Sequence, residues 1–345
     1  MSKFFKVILI LAAVCVSVGI LLIGIGIVTG ASLNDAVESG QLSITAEDII
    51  PAQYIEEHWE QPATPAEGEL AAPATELAND VRSVTIDWAS GSIQIVIGDG
   101  DKIGVAESSA VTISENHRMV TSVVGNELHI KDFESVISIG SHPSKDLTVF
   151  IPATSASKMQ TIKINAASAD CTVSGITADQ LIFNSASGSL EATDMVLNFM
   201  SADTSSGNVT VSGSISAFKC DTTSGDILIT QTGASCEAEA ESTSGDISLV
   251  GNYSGVDADS TSGNVAVSSA MALRELEIET TSGDVSLRIP SNSAFELEFE
   301  TASGNFISDL PVSLRGDSYT LNQGGPEFEV STTSGSLTLM PYVEK

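Results

Sequence analysis

Hydrophobic and polar residues alternate on both sides of a short phrase that recurs ten times along the chain. The phrase is a small residue, Ser, almost always Gly, and then Ser, Asn or Asp, as in ASGSI at 89–93 and TSGDI at 223–227. Apolar residues stand five and seven places before the glycine position and, with the exception of Ser308, two and four places after it. A period of two is typical of β-strands with one buried face. Each copy therefore predicts a strand, a turn and a second strand.

The copies follow one another at nearly constant intervals. From Ala169, which stands in the glycine position, the steps are 19, 19, 18, 20, 18, 20, 21 and 31 residues. When units of equal length stack, equivalent residues of neighbouring units lie on one another. We therefore predict an all-β fold built as a parallel β-solenoid of about 18–21 residues per rung. The crossover rule predicts a right-handed path. A meander of hairpins has the same alternation and is the alternative, but its sheet would have to close on itself.

Glycine is the commonest residue at the centre of the phrase. It adopts positive φ without steric cost, so we interpret these glycines as turn residues. In the regular part of the chain they are Gly188, Gly207, Gly225, Gly245, Gly263, Gly283, Gly304 and Gly335.

The N-terminus has the pattern of a membrane segment. Residues 7–28 contain no charge and follow Lys3 and Lys6. About 20 apolar residues span a bilayer, and preceding lysines favour a cytoplasmic N-terminus. We therefore predict a cytoplasmic stub at 1–6, a transmembrane signal anchor at 7–28 and an extracellular C-terminal domain, in a single-pass protein of the cell membrane. A cleaved signal peptide is the alternative, although its apolar region is usually shorter.

The remaining chain divides into three parts by composition. Residues 29–80 are rich in Pro, Ala and Glu, with no basic residue between Lys6 and Arg82, and this composition predicts an extended acidic spacer. Residues 81–152 contain less regular strands and are predicted to cap the solenoid. Residues 153–345 hold the regular repeats, with a loop expected at 308–331.

Charge and composition exclude several functions. The chain has 45 acidic and 14 basic residues and a net charge of −31, so a nucleic-acid partner is not expected. The histidines form no zinc motif, and no nucleophile elbow or phosphate-binding loop is present. We therefore predict no catalytic residue and no cofactor. Cys171 and Cys220 occupy inward positions as buried thiols, with a Cys220–Cys236 disulfide left open.

Acidic residues also recur four places before the glycine position. Stacked rungs would bring them into one outward column, in which like charges repel unless solvent or cations screen them. One interpretation is a low-affinity ladder for calcium or basic polymers; the other is a solvated face that keeps the protein soluble. Asp226, Asp246 and Asp284 follow the glycine near the same corner. The candidate ladder residues are Asp203, Asp221, Glu241, Asp259, Glu279 and Glu300.

Several phrases together resemble a known family. They are VRSVTIDWASGSIQIVIGDGD at 81–101, KDLTVFIP at 145–152, the TSGD and TSGN series, and GGPEFEVSTTSGSLTL at 324–339. In this order they resemble the putative-adhesin family of bacterial β-strand-repeat proteins, over residues 81–345. The resemblance implies a right-handed β-helix on the surface of a Gram-positive-type bacterium, and it brings no catalytic or ligand residues.

We therefore expect a non-catalytic adhesion or surface-scaffold module with a surface polymer or protein as its partner. An envelope sensor that works through a membrane partner is the alternative. A polysaccharide-active β-helix enzyme is a minor alternative, because cations that could bind a polyanionic substrate are scarce in the repeats.

Overall fold

The computed structural model describes residues 80–113, 117–132 and 144–343. Among them are six N-terminal strands: β1 (Ser83–Trp88), β2 (Gly91–Gly98), β3 (Gly104–Ser108), β4 (Val120–Val124), β5 (Glu127–Lys131) and β6 (Lys145–Pro152). A short helix, α1 (Ala153–Ala156), follows. The predicted stub, the membrane segment at 7–28 and the spacer up to residue 79 lie outside these ranges. Within them, no helix has the length and apolar character to cross a bilayer.

The central strands carry the regular repeats. They are β7 (Met159–Ala166), β8 (Asp170–Ser174), β9 (Thr177–Ser185), β10 (Leu190–Thr204), β11 (Val209–Thr222), β12 (Ile227–Ser242), β13 (Ile247–Ser260), β14 (Val265–Ser269), β15 (Glu275–Thr280) and β16 (Val285–Ile289).

The C-terminal strands complete the sheet. They are β17 (Phe295–Thr301), β18 (Phe306–Ser308), β19 (Ser313–Arg315), β20 (Ser318–Leu321), β21 (Glu327–Thr332) and β22 (Leu337–Pro341). The all-β class predicted from the alternation is confirmed.

Equivalent residues of consecutive repeats pair in parallel register. In the first strand of each rung, before the glycine position, Asp221 pairs with Glu241 and Glu241 with Asp259. In the second strand, after the glycine position, Ile227 pairs with Ile247. The strands β10 to β13 each contain the second strand of one rung and the first strand of the next. The pairing is that of a solenoid-like stack rather than of consecutive hairpins.

The inward positions form one continuous core. Val256, Ala258, Val265 and Val267 are each 2% exposed or less, and they occupy the four apolar positions of a single rung. Each of these residues lies on the equivalent residue of the neighbouring rung, so apolar contact continues from rung to rung. Burial of these side chains supplies the main driving force for stacking.

The glycines at the corners are required for close approach and not for positive φ. Gly91 has φ of +110°, but the eight glycines of the regular repeats lie outside the positive region. A Cβ on Gly245 would lie 1.8 Å from the carbonyl oxygen of Gly225 in the rung below. The stacked backbones therefore leave no room for a side chain, which corrects the interpretation as turn residues with positive φ.

The rungs at the C-terminal end are not stacked in chain order. Strand β21 pairs with β15 on one side and with β17 on the other, both in parallel. Strand β22 lies in the same way between β16 and β18. The last repeat of the sequence is thus inserted beneath the repeat that precedes it.

The region 308–331, predicted as a loop, contains strands that close this end. Strands β19 and β20 form an antiparallel hairpin, and β20 also pairs antiparallel with β17. A free parallel edge would expose unpaired backbone groups, and the hairpin covers one such edge.

At the N-terminal end, too, the rungs are not stacked in chain order and the outer edge is covered. Strand β1 lies between β5 and β7, and β2 lies between β6 and β8. The rung made of β5 and β6 is therefore outside the rung that precedes it in the sequence. Antiparallel strands β4 and β3 cover β5 and β6, respectively.

Candidate functional site: an acidic sheet face

The predicted acidic column forms, but with one interruption. Parallel pairing joins Asp203 to Asp221, and then joins Glu241, Asp259 and Glu279 in succession. Because the last repeat is inserted, Ser331 lies between Glu279 and Glu300. The column therefore contains five contiguous carboxylates, and Glu300 stands apart from them.

Two further columns lie beside the first on the same outward face. In the column six places before the glycine position, Asp257 pairs with Glu239 on one side and Glu277 on the other. We call the outward carboxylates of the last five rungs the acidic face. Its thirteen members are Glu237, Glu239, Glu241, Asp257, Asp259, Glu275, Glu277, Glu279, Glu296, Glu298, Glu300, Glu327 and Glu329.

Only one of these three columns was predicted from the sequence. The alternation on which that prediction rested also places the residues six and eight positions before the glycine on this outward face. The signal for the other two columns was therefore present in the runs EAEAES, ELEIET and ELEFET.

Lys219 lies at one end of the acidic face and contacts several carboxylates. Its Nζ donates a short hydrogen bond to Glu239 and lies 3.7 Å from a carboxylate oxygen of Glu241 and 3.9 Å from one of Asp221. Burial acts to lower the pKa of Lys219, but these partners outweigh it and raise the pKa overall. The face thus already accommodates one ammonium group.

Crowding raises the pKa of carboxyl groups on and beside the face. Burial, followed by the charges of Asp257 and Glu279, raises the pKa of Asp259 to about 6. Burial also raises the pKa of Asp221 to about 6, although Lys219 opposes the shift. The pKa of Glu277 rises chiefly because of the nearby charge of Asp257. Both large shifts mean that an ionised carboxylate is costly at these positions, first because it is buried and then because other negative charges lie close by.

A shallow groove runs across the start of the face. It has a volume of about 310 Å³, and its walls include Phe199, Lys219, Glu239, Asp257 and Glu277. Ala217 and Gly255 also line the groove, and their small size leaves the space open. The groove joins an apolar wall to carboxylates, an arrangement that suits a cation with an apolar stem.

The acidic residues that follow the glycine have a structural role. The backbone N–H of Asp246 donates to Asp226 Oδ1 at 2.9 Å, and the N–H of Asn264 donates to Asp246 Oδ1 at 2.7 Å. The same bond links Ser336 N to Asp284 Oδ1 at 2.8 Å. Side-chain oxygens of Asn, Asp or Ser at this position thus accept from the next rung, so these carboxylates belong to the framework of the stack.

Metal binding by the predicted ladder stays a prediction. Among the residues that the structure describes, no three His, Cys, Asp or Glu side chains converge closely enough to hold a metal ion. Carboxylates that are spaced one rung apart form a line of charge, whereas calcium takes six to eight oxygen ligands around one point.

The cysteines of the repeats are buried free thiols. Cys171, Cys220 and Cys236 form no disulfide, so the alternative of a Cys220–Cys236 bridge is not realised in the structure. Burial raises the pKa of Cys236 to about 12 and also raises the pKa of Cys220. These thiols therefore act as small apolar side chains.

Comparison with solved structures finds similarity to proteins of two bacteria. A protein described as a putative adhesin from Bacteroides fragilis NCTC 9343 is 11% identical, covers 76% of this chain and 92% of its own, and has a TM-score of 0.42. One described as a putative lipid binding protein from Parabacteroides distasonis ATCC 8503 is 14% identical, with coverages of 78% and 96% and a TM-score of 0.47. A second protein from that strain, described as a putative adhesin, is 13% identical, with coverages of 80% and 98% and a TM-score of 0.33.

At these identities and scores the likenesses say nothing about what this chain binds. No curated protein matches the chain. The profile of one family, described as Toastrack DUF4097, matches residues 81–340, which includes every rung of the stack. The chain therefore belongs to the Toastrack DUF4097 family.

Proposed function

We propose that this protein is a non-catalytic adhesion or surface-scaffold module that binds cationic polymers or basic protein segments through its acidic face. Residues 7–28 would anchor it in the cell membrane, and residues 29–80 would hold the stack outside the cell. The observation that carries the proposal is the parallel register of the acidic face, which repeats carboxylates along neighbouring strands.

The spacing of the carboxylates supports a polymeric partner. Neighbouring strands lie about 4.8 Å apart, so one column offers a charge at every rung. A flexible polycation can place successive charges on successive rungs, and each contact offsets part of the repulsion that, after burial, raises the pKa of Asp259. A single small cation would reduce the repulsion between carboxylates at only one point of the column.

The contacts of Lys219 indicate how such a partner would bind. Its ammonium group is shared between Glu239 and Glu241, which belong to neighbouring columns. A lysine side chain from a partner could make the same pair of contacts farther along the face. The groove beside Phe199 would receive its apolar stem.

The binding proposal is tested with polylysine as the probe and polyglutamate as the matched polymer of opposite charge. The full chain, held in nanodiscs, should bind polylysine at low ionic strength and lose affinity as salt rises past about 150 mM. It should not bind polyglutamate. Glu277→Lys should weaken polylysine binding by about fivefold, because it turns one attractive position in the middle of the face into a repulsive one.

The matched control is Glu191→Lys. Glu191 is exposed and lies in the second strand of its rung, outside the acidic face, and the substitution changes the net charge by the same amount. Equal losses in the two variants would mean that polylysine senses only net charge, and the proposal would fail. If millimolar calcium displaces polylysine from the wild-type chain and not from Glu277→Lys, the proposal extends to hard cations.

The proposed anchor is tested separately. The full chain expressed in a bacterium should fractionate with membranes, and protease added outside the cells should degrade residues 81–345. A variant with three lysines introduced at the centre of 7–28 should lose membrane association. Recovery of the wild-type chain in the soluble fraction would contradict membrane anchoring.

A further inference from the structure

A fully buried lysine lies between two carboxylates at the N-terminal end of the stack. Lys145 opens β6, and its side chain is 2% exposed. Its Nζ lies 3.1 Å from Oε2 of Glu107, in β3, and 2.5 Å from Oδ1 of Asp132, directly after β5. Glu107 and Asp132 are also buried. Three strands from separate parts of the chain thus bring an amine and two acids together.

The protons of this ammonium group are all directed at other acceptors. Nζ donates to Oε2 of Glu107, to the carbonyl oxygen of His117 at 2.6 Å and to the carbonyl oxygen of Asp132 at 2.5 Å. An ammonium group has three protons, so none is left for Oδ1 of Asp132. Although Nζ lies next to this oxygen, Oδ1 accepts no hydrogen bond.

The second carboxylate oxygen of Asp132 has a different partner. The backbone N–H of Ala89 donates to its Oδ2 at 3.0 Å. This donor is placed to stabilise a negative charge that develops on Oδ2 when a nucleophile adds to Cγ. The carboxyl group of Asp132 is therefore held between a nitrogen nucleophile on one side and an oxyanion donor on the other.

Glu107 is held in place by two further contacts. Its Oε2 accepts from the backbone N–H of Met119 at 3.0 Å, and its Oε1 lies 3.6 Å from Nη1 of Arg118. The ring of Trp88 lies 4.9 Å from Nζ of Lys145, and its Nε1 donates to the carbonyl oxygen of Lys145. The aromatic ring helps to shield the group from water.

From this geometry we propose that Lys145 and Asp132 form an intramolecular amide bond, with Glu107 as the catalytic residue. Burial of an ion pair is costly, because two charges lose their hydration. Condensation removes both charges and leaves a neutral amide. Proximity within a rigid core supplies the entropy that a reaction between free side chains would lack.

The reaction requires no external reagent. One proton of the Lys145 ammonium moves through Oε2 of Glu107 to Oδ1 of Asp132, which makes the amine and the acid neutral, and Nζ then adds to Cγ. The nitrogen gives a second proton to Glu107, while Ala89 N–H stabilises the oxyanion on Oδ2. Glu107 returns this proton to Oδ1, the Cγ–Oδ1 bond breaks, and one water leaves. The third proton stays on the amide nitrogen, and Glu107 ends as a carboxylate.

Such a bond would lock the outermost rung of the N-terminal end. Asp132 directly follows β5 and Lys145 begins β6, so the link closes the chain between the two strands of that rung. End rungs have a neighbouring rung on one side only and are the first to open in stacked repeats. A covalent link at this position prevents the two strands from separating.

The test is a tryptic digest of the full chain, analysed by mass spectrometry. Trypsin cleaves after Lys131, Lys145 and Lys158, but it does not cleave after an acylated lysine. The wild-type chain should therefore yield peptide 132–158, uncleaved at residue 145 and about 18 Da lighter than the linear sequence, because one water is lost. Peptide 132–145 should be absent.

Variants assign the roles of the three side chains. Lys145→Arg and Asp132→Ala should each abolish the loss of water, and Lys145→Arg should release linear peptide 132–145. Glu107→Gln keeps the shape of the side chain but cannot carry the proton, so its cross-linked fraction should fall at least tenfold. Lys219, which contacts carboxylates at a half-exposed site, is the internal control and should be cleaved normally.

The decisive result comes from the wild-type chain and does not depend on whether any variant folds. Release of peptide 132–145 from the wild-type digest, with no species lighter by one water, would overturn the proposal. A Glu107→Gln chain that is cross-linked as completely as the wild type would remove Glu107 from the mechanism.

Discussion

The glycine at the corner of each rung gives a sharp test of how closely the rungs stack. In Gly245→Ala the new Cβ would lie 1.8 Å from the oxygen and 2.4 Å from the carbon of the Gly225 carbonyl. Real Cβ contacts with such atoms are longer than about 3 Å, so the two rungs must separate at this corner by more than 1 Å.

The magnitude follows from the bonds beside this contact. Ser244 N donates to the carbonyl oxygen of Thr223 at 3.0 Å, and Asp246 N donates to Asp226 Oδ1 at 2.9 Å. Separation of the rungs weakens both bonds, at about 1 kcal/mol each, and overpacking adds about 1–3 kcal/mol. We therefore expect Gly245→Ala to lower the free energy of unfolding by about 3–5 kcal/mol.

Gly255→Ala is the matched control. Its added Cβ would meet only the Cβ of Glu275 at 3.7 Å, an ordinary contact, and the φ of Gly255 is not in the positive region. The free energy of unfolding of Gly255→Ala should lie within about 0.5 kcal/mol of the wild-type value, because alanine also restricts the unfolded chain.

The assay is urea unfolding combined with hydrogen exchange. Stacked repeats open locally, so exchange of the amides in the rungs of Gly225 and Gly245 should accelerate in Gly245→Ala and not in the control. If Gly245→Ala were as well tolerated as Gly255→Ala, the close stacking of corner backbones would be refuted.

Two further predictions concern the acidic residues. The folded state raises the pKa of Asp259 to about 6, so this group favours folding below its ordinary value near 3.8, and the benefit is lost as pH rises through about 6. Asp259→Asn should therefore raise the melting temperature by about 2–4 °C at pH 8 and leave it unchanged below pH 4. The gain at pH 8 should exceed that of Glu191→Gln, a substitution at an exposed position outside the acidic face. A gain below pH 4 would contradict the predicted direction. Asp246→Asn keeps the acceptor for the N–H of Asn264 and should be nearly neutral in urea unfolding, whereas Asp246→Ala should cost about 1 kcal/mol. If the two substitutions changed the stability equally, the hydrogen bond to Asp246 would not contribute to the stack.

The alternation of the sequence was sufficient to predict which residues face inward. Val256 and Ala258 are buried as their positions require, and Asp257 and Asp259, which alternate with them, face outward. This prediction is reliable because a period of two depends only on the local geometry of a strand. The parallel pairing followed from the constant length of the repeats.

The order of the rungs at the two ends could not be predicted in this way. Every repeat has the same pattern, so β21 fits on β15 as well as β17 does, and the pattern alone does not choose between them. The choice depends on long-range packing, including the hairpin of β19 and β20 and the stacking of Phe295 on Phe328 at 4.8 Å between ring centres.

The buried cluster of Lys145 was hidden for a related reason. Its members Glu107, Asp132 and Lys145 come from irregular segments that no repeat aligns. A lone lysine at the start of a strand ordinarily faces solvent. Only the pairing of β3 and β5 with their neighbours shows that this one is enclosed.

The acidic face and the interrupted ladder both depend on the inserted position of the last repeat. Cysteine pairs test this order directly, because Cα atoms of neighbouring strands lie within disulfide range and those two strands apart do not. Glu279→Cys with Ser331→Cys should form a disulfide on mild oxidation of the full chain, and Glu279→Cys with Glu300→Cys should stay reduced. A disulfide in the second pair and none in the first would show that the rungs follow chain order and would contradict the structure.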